Sequence, residues 1–245
     1  MRAVRLTLVV PCYNEEKRLP VDEFRKFKID GAQLDYIFVN DGSTDGTARV
    51  LESLRSENPA RFGVLTLEKN SGKAEAVRRG MNAAMDGSPD LVGFWDADLA
   101  TPLAEIPLFL DVFATRPNID MVIASRVRLL GRDIIRRPSR HYFGRVGATL
   151  ISSTLGIAVY DTQCGAKLFR SNPTLRDILR QPFVSRWIFD VELISRYIKA
   201  RGRDAALAGM YELPIREWRD VHGSKVKGRD FIRALRDLWR IRRAR

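Results

Sequence analysis

Cysteine is scarce in this chain. Its 245 residues include two, Cys12 and Cys164, far apart and outside any C-x-x-C pair. No disulfide framework or thiolate metal site is therefore expected to organise the fold, and the pair reads as reduced thiols of an intracellular protein. Long apolar runs are missing as well. No window approaches the ~20 apolar residues of a spanning helix. The longest candidate, Val146 to Tyr160, is interrupted by Thr149, Ser152, Ser153, Thr154 and two glycines, and reads as a buried or interfacial helix. The run Leu6–Val10 is too short for a signal-peptide core and leads straight into Pro11, Glu15 and Glu16. Glycine patterns of common nucleotide sites are absent too: no G-x-G-x-x-G follows the first strand, the Gly42/Gly46 spacing does not match, and no Walker pattern occurs. Nicotinamide and P-loop chemistry are thereby disfavoured. No internal repeat or low-complexity linker divides the chain.

What is present describes a folded domain with an excess of one charge. Hydrophobic residues make up 45% and charged residues 29%, a balance that buries a core. The net charge of +12 points to an anionic partner: nucleic acid, a membrane face or a phosphorylated substrate.

The first half alternates. Apolar strand candidates are Leu6–Val10, Tyr36–Val39, Val64–Leu67, Leu91–Trp95 and Met121–Ala124, with helical patterns at Thr47–Arg55, Lys73–Met85 and Pro102–Phe113. This order predicts a mostly parallel sheet flanked by helices, whose ligands sit beyond the carboxyl ends of the strands. Three acid-bearing loops open at that edge: Pro11-Cys12-Tyr13-Asn14-Glu15-Glu16, Asn40-Asp41-Gly42-Ser43-Thr44-Asp45-Gly46-Thr47, and Asp96-Ala97-Asp98. Asp41 ends its strand facing the crevice, where a carboxylate accepts hydrogen bonds from a base or ribose. Thr44 or Asp45 serves as a cap for the next helix. Two anions one residue apart cost Coulomb and desolvation energy. On an extended backbone they point to the same side, so together they suit one hard divalent cation, or else are two solvated turn residues.

The second half is strongly basic. Residues 126–145 hold seven arginines (Arg126, Arg128, Arg132, Arg136, Arg137, Arg140 and Arg145) against one acid, Asp133. In the last helix Phe231, Ile232, Leu235, Leu238 and Trp239 recur at helical spacing among Arg233, Arg236, Arg240, Arg242 and Arg243. Such a helix either lies in a membrane interface or packs its stripe on the domain with its arginines solvated.

Together the three loop motifs resemble the family 2 glycosyltransferases of GT-A fold, over nearly the whole chain. Asp161-Thr162-Gln163-Cys164-Gly165-Ala166-Lys167 and Arg186-Trp187-Ile188-Phe189-Asp190-Val191-Glu192-Leu193 resemble the dolichyl-phosphate β-glucosyltransferase branch. The late Gly223-Ser224-Lys225 block is shared with dolichyl-phosphate mannosyltransferases. The resemblance implies a domain over 1–225, with a nucleotide-sugar half (1–125) and an acceptor half (126–225), followed by a basic amphipathic helix (226–245). It implies that Pro11, Tyr13, Glu15, Asp41, Lys73, Asp96 and Ala97 hold the nucleotide sugar. Asp98 would be the direct Mg²⁺ or Mn²⁺ ligand, with Asp96 supporting it, and Arg126, Arg219 and Lys225 would grip phosphates. Mannosyltransferases carry a glutamine two residues after the second Asp; this chain has Ala100, which weakens the mannosyl reading.

The expected reaction is an inverting, metal-dependent transfer of a hexose, with UDP-glucose favoured as donor and a polyprenyl phosphate as acceptor. GDP-mannose as donor and a soluble sugar hydroxyl as acceptor are the alternatives. A phosphate monoester, with its second pKa near ~6, attacks without a base, whereas a hydroxyl needs one, and Asp161 or Asp190 would supply it. For Asp190 the competing reading is a cap or an ion pair with Arg186. The basic segments would dock the protein on the cytoplasmic face of an anionic membrane, contributing ~1 kcal/mol per cation. Nucleic acid is not expected as a partner, because carboxylates at the ligand edge repel phosphates unless a metal intervenes.

Overall fold

The predicted alternation is what the chain builds. In chain order the elements are β1 (Val4–Cys12), α1 (Val21–Lys26), β2 (Ala32–Asn40), α2 (Thr47–Glu57), β3 (Phe62–Thr66), α3 (Lys73–Asp86) and β4 (Leu91–Trp95). A 3-10 turn (Leu103–Glu105) then leads to α4 (Ile106–Thr115), β5 (Met121–Ser125), β6 (Asp133–Ile135), α5 (Pro138–Leu155) and β7 (Ala166–Arg170). The chain continues through α6 (Pro173–Arg180), α7 (Phe189–Arg201), α8 (Arg203–Gly209), β8 (Met210–Pro214), β9 (Glu217–Arg219) and α9 (Gly228–Arg243). The computed structural model describes the backbone of residues 2–135, 138–220 and 228–243, and side chains at 2–135, 147–220 and 236–243. Lys225, the rest of the 221–227 block, and the side chains of Arg136, Arg137, Arg140, Arg145, Phe231, Ile232, Arg233 and Leu235 lie outside the described residues.

The chain forms two compact units that do not follow sequence order. One comprises Met1–Leu99 with Gly165–Pro182, the other Ala100–Cys164 with Phe183–Arg245. These compact units run differently from the expected functional halves, 1–125 and 126–225: 100–125 lie in the second unit and 165–182 in the first.

In the first unit, β1 lies between β2 and β4, both parallel to it, and β3 pairs in parallel with β2. β7 closes the other side of β4 in antiparallel register, Leu91 opposite Arg170 and Trp95 opposite Ala166. β4 is buried along its whole length, as a strand covered on both faces must be. Its expected bounds, Leu91–Trp95, match the structure residue for residue.

In the second unit, β5 and β8 pair in parallel from Met121↔Met210 to Ser125↔Pro214. A small parallel ribbon, β6 with β9, sets Ile134 beside Trp218 and Ile135 beside Arg219. Helices α5, α7 and α9 pack on one another. Leu238 and Ile241 of α9 are buried, so this part of the apolar stripe packs on the unit, while Trp239 stays half exposed beneath the Arg243 guanidinium. Among the described residues, no helix is long and apolar enough to cross a membrane.

Candidate active site

Strand register converges the three loops. Cys12 is level with Asn40 across β1–β2, and Val9 with Phe94 across β1–β4. The chain segments that follow, Tyr13–Glu16, Asp41–Gly46 and Asp96–Asp98, therefore leave the sheet at one edge of the first unit.

Beyond β4 the backbone leaves the extended conformation and turns: Asp96 and Asp98 are half-buried and Ala97 is buried. The Asp96 N–H donates to the Gly165 carbonyl at 3.0 Å, and the Leu99 N–H returns to the Asp96 carbonyl at 3.1 Å. Leu99 holds φ at +49°, a left-handed conformation that costs a non-glycine residue about 1–2 kcal/mol. The Asp96 carboxylate lies against the α-carbon of Gly165, so a Cβ there would fall inside it. Lys73, the first residue of α3, donates from Nζ to Asp96 Oδ1. Asp96 thus has a floor and a cation.

Asp41 is buried, and its oxygens accept from the Ser71 N–H at 2.7 Å and the Gly72 N–H at 2.8 Å. These bonds fix the turn that starts α3 and hence the origin of Lys73. Glu15 is buried and receives Arg18 in a two-pronged pair, Nε to Oε2 at 2.9 Å and Nη2 to Oε1 at 2.8 Å. That hydrogen bond, with the charges of Glu15 and Asp98 adding, holds the Arg18 guanidinium above its ordinary value against the opposing effect of partial burial. Asn14, at φ +54°, ties the first two loops together: its N–H donates to Ser43 Oγ at 3.1 Å and its Oδ1 accepts from the Thr44 N–H at 2.9 Å. Asp45 accepts from the Thr47 N–H at 3.0 Å, but the cap expected from Thr44 or Asp45 is not formed: the N-cap of α2 is Gly46, with no side-chain capping bond. Pro11 and Tyr13 are half-buried at the same edge. Cys12 is fully buried, and burial, with the Glu15 charge adding, pushes its thiol far above the usual range.

The remaining described candidates belong to the second unit. Arg126 and Asp161 are given to each other: Nε to Oδ2 at 2.6 Å, Nη2 to Oδ1 at 2.8 Å, and the Arg126 N–H to Oδ2 at 3.1 Å. The guanidinium also lies 5.2 Å from the Trp218 ring centroid. Asp190 is buried in the first turn of α7. The Arg219 side chain is 66% exposed, with Asp133 at 4.0 Å and Glu217 at 3.9 Å. Its N–H donates to the carbonyl of Ala100, two residues beyond Asp98 in the chain.

Among the described residues, no three His, Cys, Asp or Glu side chains gather into a metal cluster. Asp96 and Asp98 are hard oxygen donors, and one or two carboxylates completed by substrate phosphates and water are what Mg²⁺ accepts. The cradle that a Cβ at Gly165 would fill leaves the Asp96 carboxylate its place, and Lys73 marks it as a seat for positive charge. The donor set therefore fits a divalent cation.

Two residues that shape the site carried no role in the sequence reading. Gly165 stands within a motif of the resemblance, and its adjacency to Asp96 depends on the antiparallel return of β7. Arg18, three residues after Glu15 in a turn rather than a helix, offered no signal beyond its charge.

A sequence profile of glycosyl transferase family 2 matches residues 7–175. The chain is 30% identical over 259 residues to a dolichyl-phosphate beta-glucosyltransferase of Dictyostelium discoideum, covering 98% of this chain and 74% of that protein. It is 33% identical over 272 residues to the dolichyl-phosphate beta-glucosyltransferase of Homo sapiens, covering 98% and 79%. Among solved structures it superposes on glucosyl-3-phosphoglycerate synthase from Mycobacterium tuberculosis in complex with Mn²⁺, UDP-glucose and phosphoglyceric acid. That match has a TM-score of 0.65 and 20% identity, covering 98% of this chain and 80% of the other; at this identity the likeness bears on the fold, which is of the GT-A type. With its α/β fold, its three converging loops and relatives over nearly its full length, the chain belongs to glycosyl transferase family 2 and is a glycosyltransferase.

Proposed function

We propose that this glycosyltransferase moves glucose from UDP-glucose to a polyprenyl phosphate at a membrane surface, inverting the anomeric carbon. The carrying observation is the Asp96–Asp98 loop, with Asp96 seated on Gly165 and held by Lys73. The named relatives support the choice of sugar and acceptor.

In this reading Pro11, Tyr13, Glu15, Asp41 and Ala97 shape the nucleoside side, and Lys73 holds Asp96 in line with the diphosphate. Asp98, supported by Asp96, would hold a divalent cation, which when bound would supply Lewis-acid stabilisation of the charge on a diphosphate leaving group. Arg219 and Lys225 are assigned to phosphate groups, and Arg126 with them through its cationic edge.

The pairing of Arg126 with Asp161 favours a phosphate acceptor over a hydroxyl. A hydroxyl needs a base, and both carboxylate oxygens of Asp161 are engaged by the Arg126 guanidinium. A phosphate monoester, with a second pKa near ~6, arrives already ionised. The arginines of the second unit and the Trp239 face of α9 suit an anionic, peripheral membrane surface on the cytoplasmic side.

The test is a panel of UDP-glucose, UDP-galactose and GDP-mannose with a short-chain polyprenyl phosphate and Mg²⁺ or Mn²⁺, the product being extracted into organic solvent. A UDP-glucose-dependent lipid product is expected, abolished by chelation and reduced at least about 100-fold in Asp98→Ala. A product formed only from GDP-mannose, or only on a water-soluble hydroxyl acceptor, would overturn the assignment. Near-normal transfer by Asp98→Ala would remove the metal role.

A further inference from the structure

Between β5 and β6 the chain makes a closed turn. The Arg132 N–H donates to the Leu129 carbonyl at 3.1 Å, and Gly131, at the third position, holds φ at +76°. That is the backbone of a type II turn, whose third position takes positive φ and favours glycine. Leu130 occupies the outer corner and is fully exposed, and Leu129 beside it is 49% exposed. Corners of surface turns are normally given to Gly, Asn, Asp, Ser or Pro. Two leucines there are an apolar tip presented by a fixed backbone.

The tip is mounted on the β6–β9 ribbon. Ile134 and Trp218 face inward and are buried, while Ile135 faces outward, 54% exposed and in register with Arg219. The outer acids Asp133 and Glu217 stand at the limit of ion pairing with Arg219. Arg128 and Arg132 bracket the leucines, and Arg128 Nε donates to the Ile134 carbonyl at 3.2 Å, laying its stem along the ribbon.

A single exposed leucine needs no explanation. Here, however, the exposed large apolar residues are unevenly shared: among the described residues of the first unit only Val4 qualifies, and the others, from Leu129 to Trp239, are in the second. An apolar corner bracketed by arginines has the layout of a membrane-interface anchor, with apolar groups below the headgroups and cations level with anionic lipid. We infer that the Leu129–Leu130 turn is a wedge that inserts into an anionic lipid leaflet and sets the β6–β9 ribbon, with Arg219, at headgroup depth. The purpose of the wedge rests on the lipid-phosphate acceptor proposed above; its insertion does not.

The test uses the full chain. Both native cysteines are buried, so Leu130→Cys takes an environment-sensitive fluorophore selectively, and Ser56→Cys on the exposed face of α2 serves as control. With vesicles of mixed phosphatidylserine and phosphatidylcholine, the label at position 130 is expected to shift to the blue and resist iodide quenching, while the label at 56 stays water-like. Leu129→Ser/Leu130→Ser should lower vesicle partitioning about 100-fold, roughly tenfold per leucine, and leave transfer to a detergent-dispersed short-chain acceptor unchanged. A water-like probe at 130 on vesicle-bound protein overturns the wedge, as does an absence of vesicle binding. The same shift obtained with a protein partner instead of vesicles would also overturn it. Sugar transfer to lipid phosphate by a protein whose turn stays in water removes this inference alone. An inserted turn without such transfer removes the acceptor reading alone.

Discussion

The two units handle charge in opposite ways. In the first, four acids at the ligand edge have a local holder: Arg18 on Glu15, two backbone N–H groups on Asp41, Thr47 on Asp45 and Lys73 on Asp96. In the second, the most closely paired candidates are turned inward, half-buried Arg126 with buried Asp161, while arginines and apolar side chains such as Leu130, Ile135 and Trp239 are turned outward. The first unit is preorganised for a small polar ligand in water. The second keeps its outer face suited to something less polar than water. A donor that is soluble and an acceptor that is not would demand such a division.

The largest effect should come from breaking this inward pair. Asp161→Ala leaves the half-buried Arg126 beside Trp218 without its carboxylate, and should lower unfolding free energy by about 3 kcal/mol, read from the denaturant midpoint. The exposed Arg219→Ala should stay within about 0.5 kcal/mol. Equal effects at the two positions would erase the distinction between buried and outward charge in the second unit.

Gly165→Ala sharpens the contrast from the other side. Its Cβ would occupy the Asp96 carboxylate, so transfer should fall by about 100-fold in a protein that retains its circular dichroism spectrum. Activity near that of the parent would mean that the seat of Asp96 is incidental.

Lys73→Met should act more weakly. The Lys73 and Asp96 side chains are 40% and 33% exposed, so stability should change by less than about 1 kcal/mol. The KM for the nucleotide sugar should rise about tenfold, and an unchanged KM would remove Lys73 from the donor site. The smallest expected effect is none. Cys12, protonated through burial, should resist iodoacetamide in the native protein at mildly alkaline pH and react only on unfolding. Rapid native labelling of Cys12 would show that the β1 edge opens.

Much of the first unit was legible because its strands are local, continuous apolar runs. Leu91–Trp95 is the clearest instance. β7 was not recognised as a strand, since Lys167 interrupts its apolar character and lysine ordinarily reads as surface; here it is fully buried, 5.1 Å from the Phe94 ring centroid. Asp161 read as a candidate base because its partner stands 35 residues away, a separation that no periodicity reports. In α9 the stripe was visible, but which side it faces depends on packing: Leu238 and Ile241 turn inward, and Asp237 accepts from Ser185 Oγ at 2.8 Å.

The interleaving of the two units bears on how the protein is made. The chain changes unit at Leu99–Ala100, Cys164–Gly165 and Pro182–Phe183. During synthesis, β1 to β4 emerge early, but the strand that covers the edge of β4 and the glycine that floors Asp96 emerge much later. Until then the nascent chain carries an open edge and an unseated anion. Open edges recruit other strands, so a gene cut at residue 125 should yield a fragment that self-associates through β4. The protein is therefore poorly divisible: β1 to β4 should not be expressed as a well-behaved fragment without the part that follows.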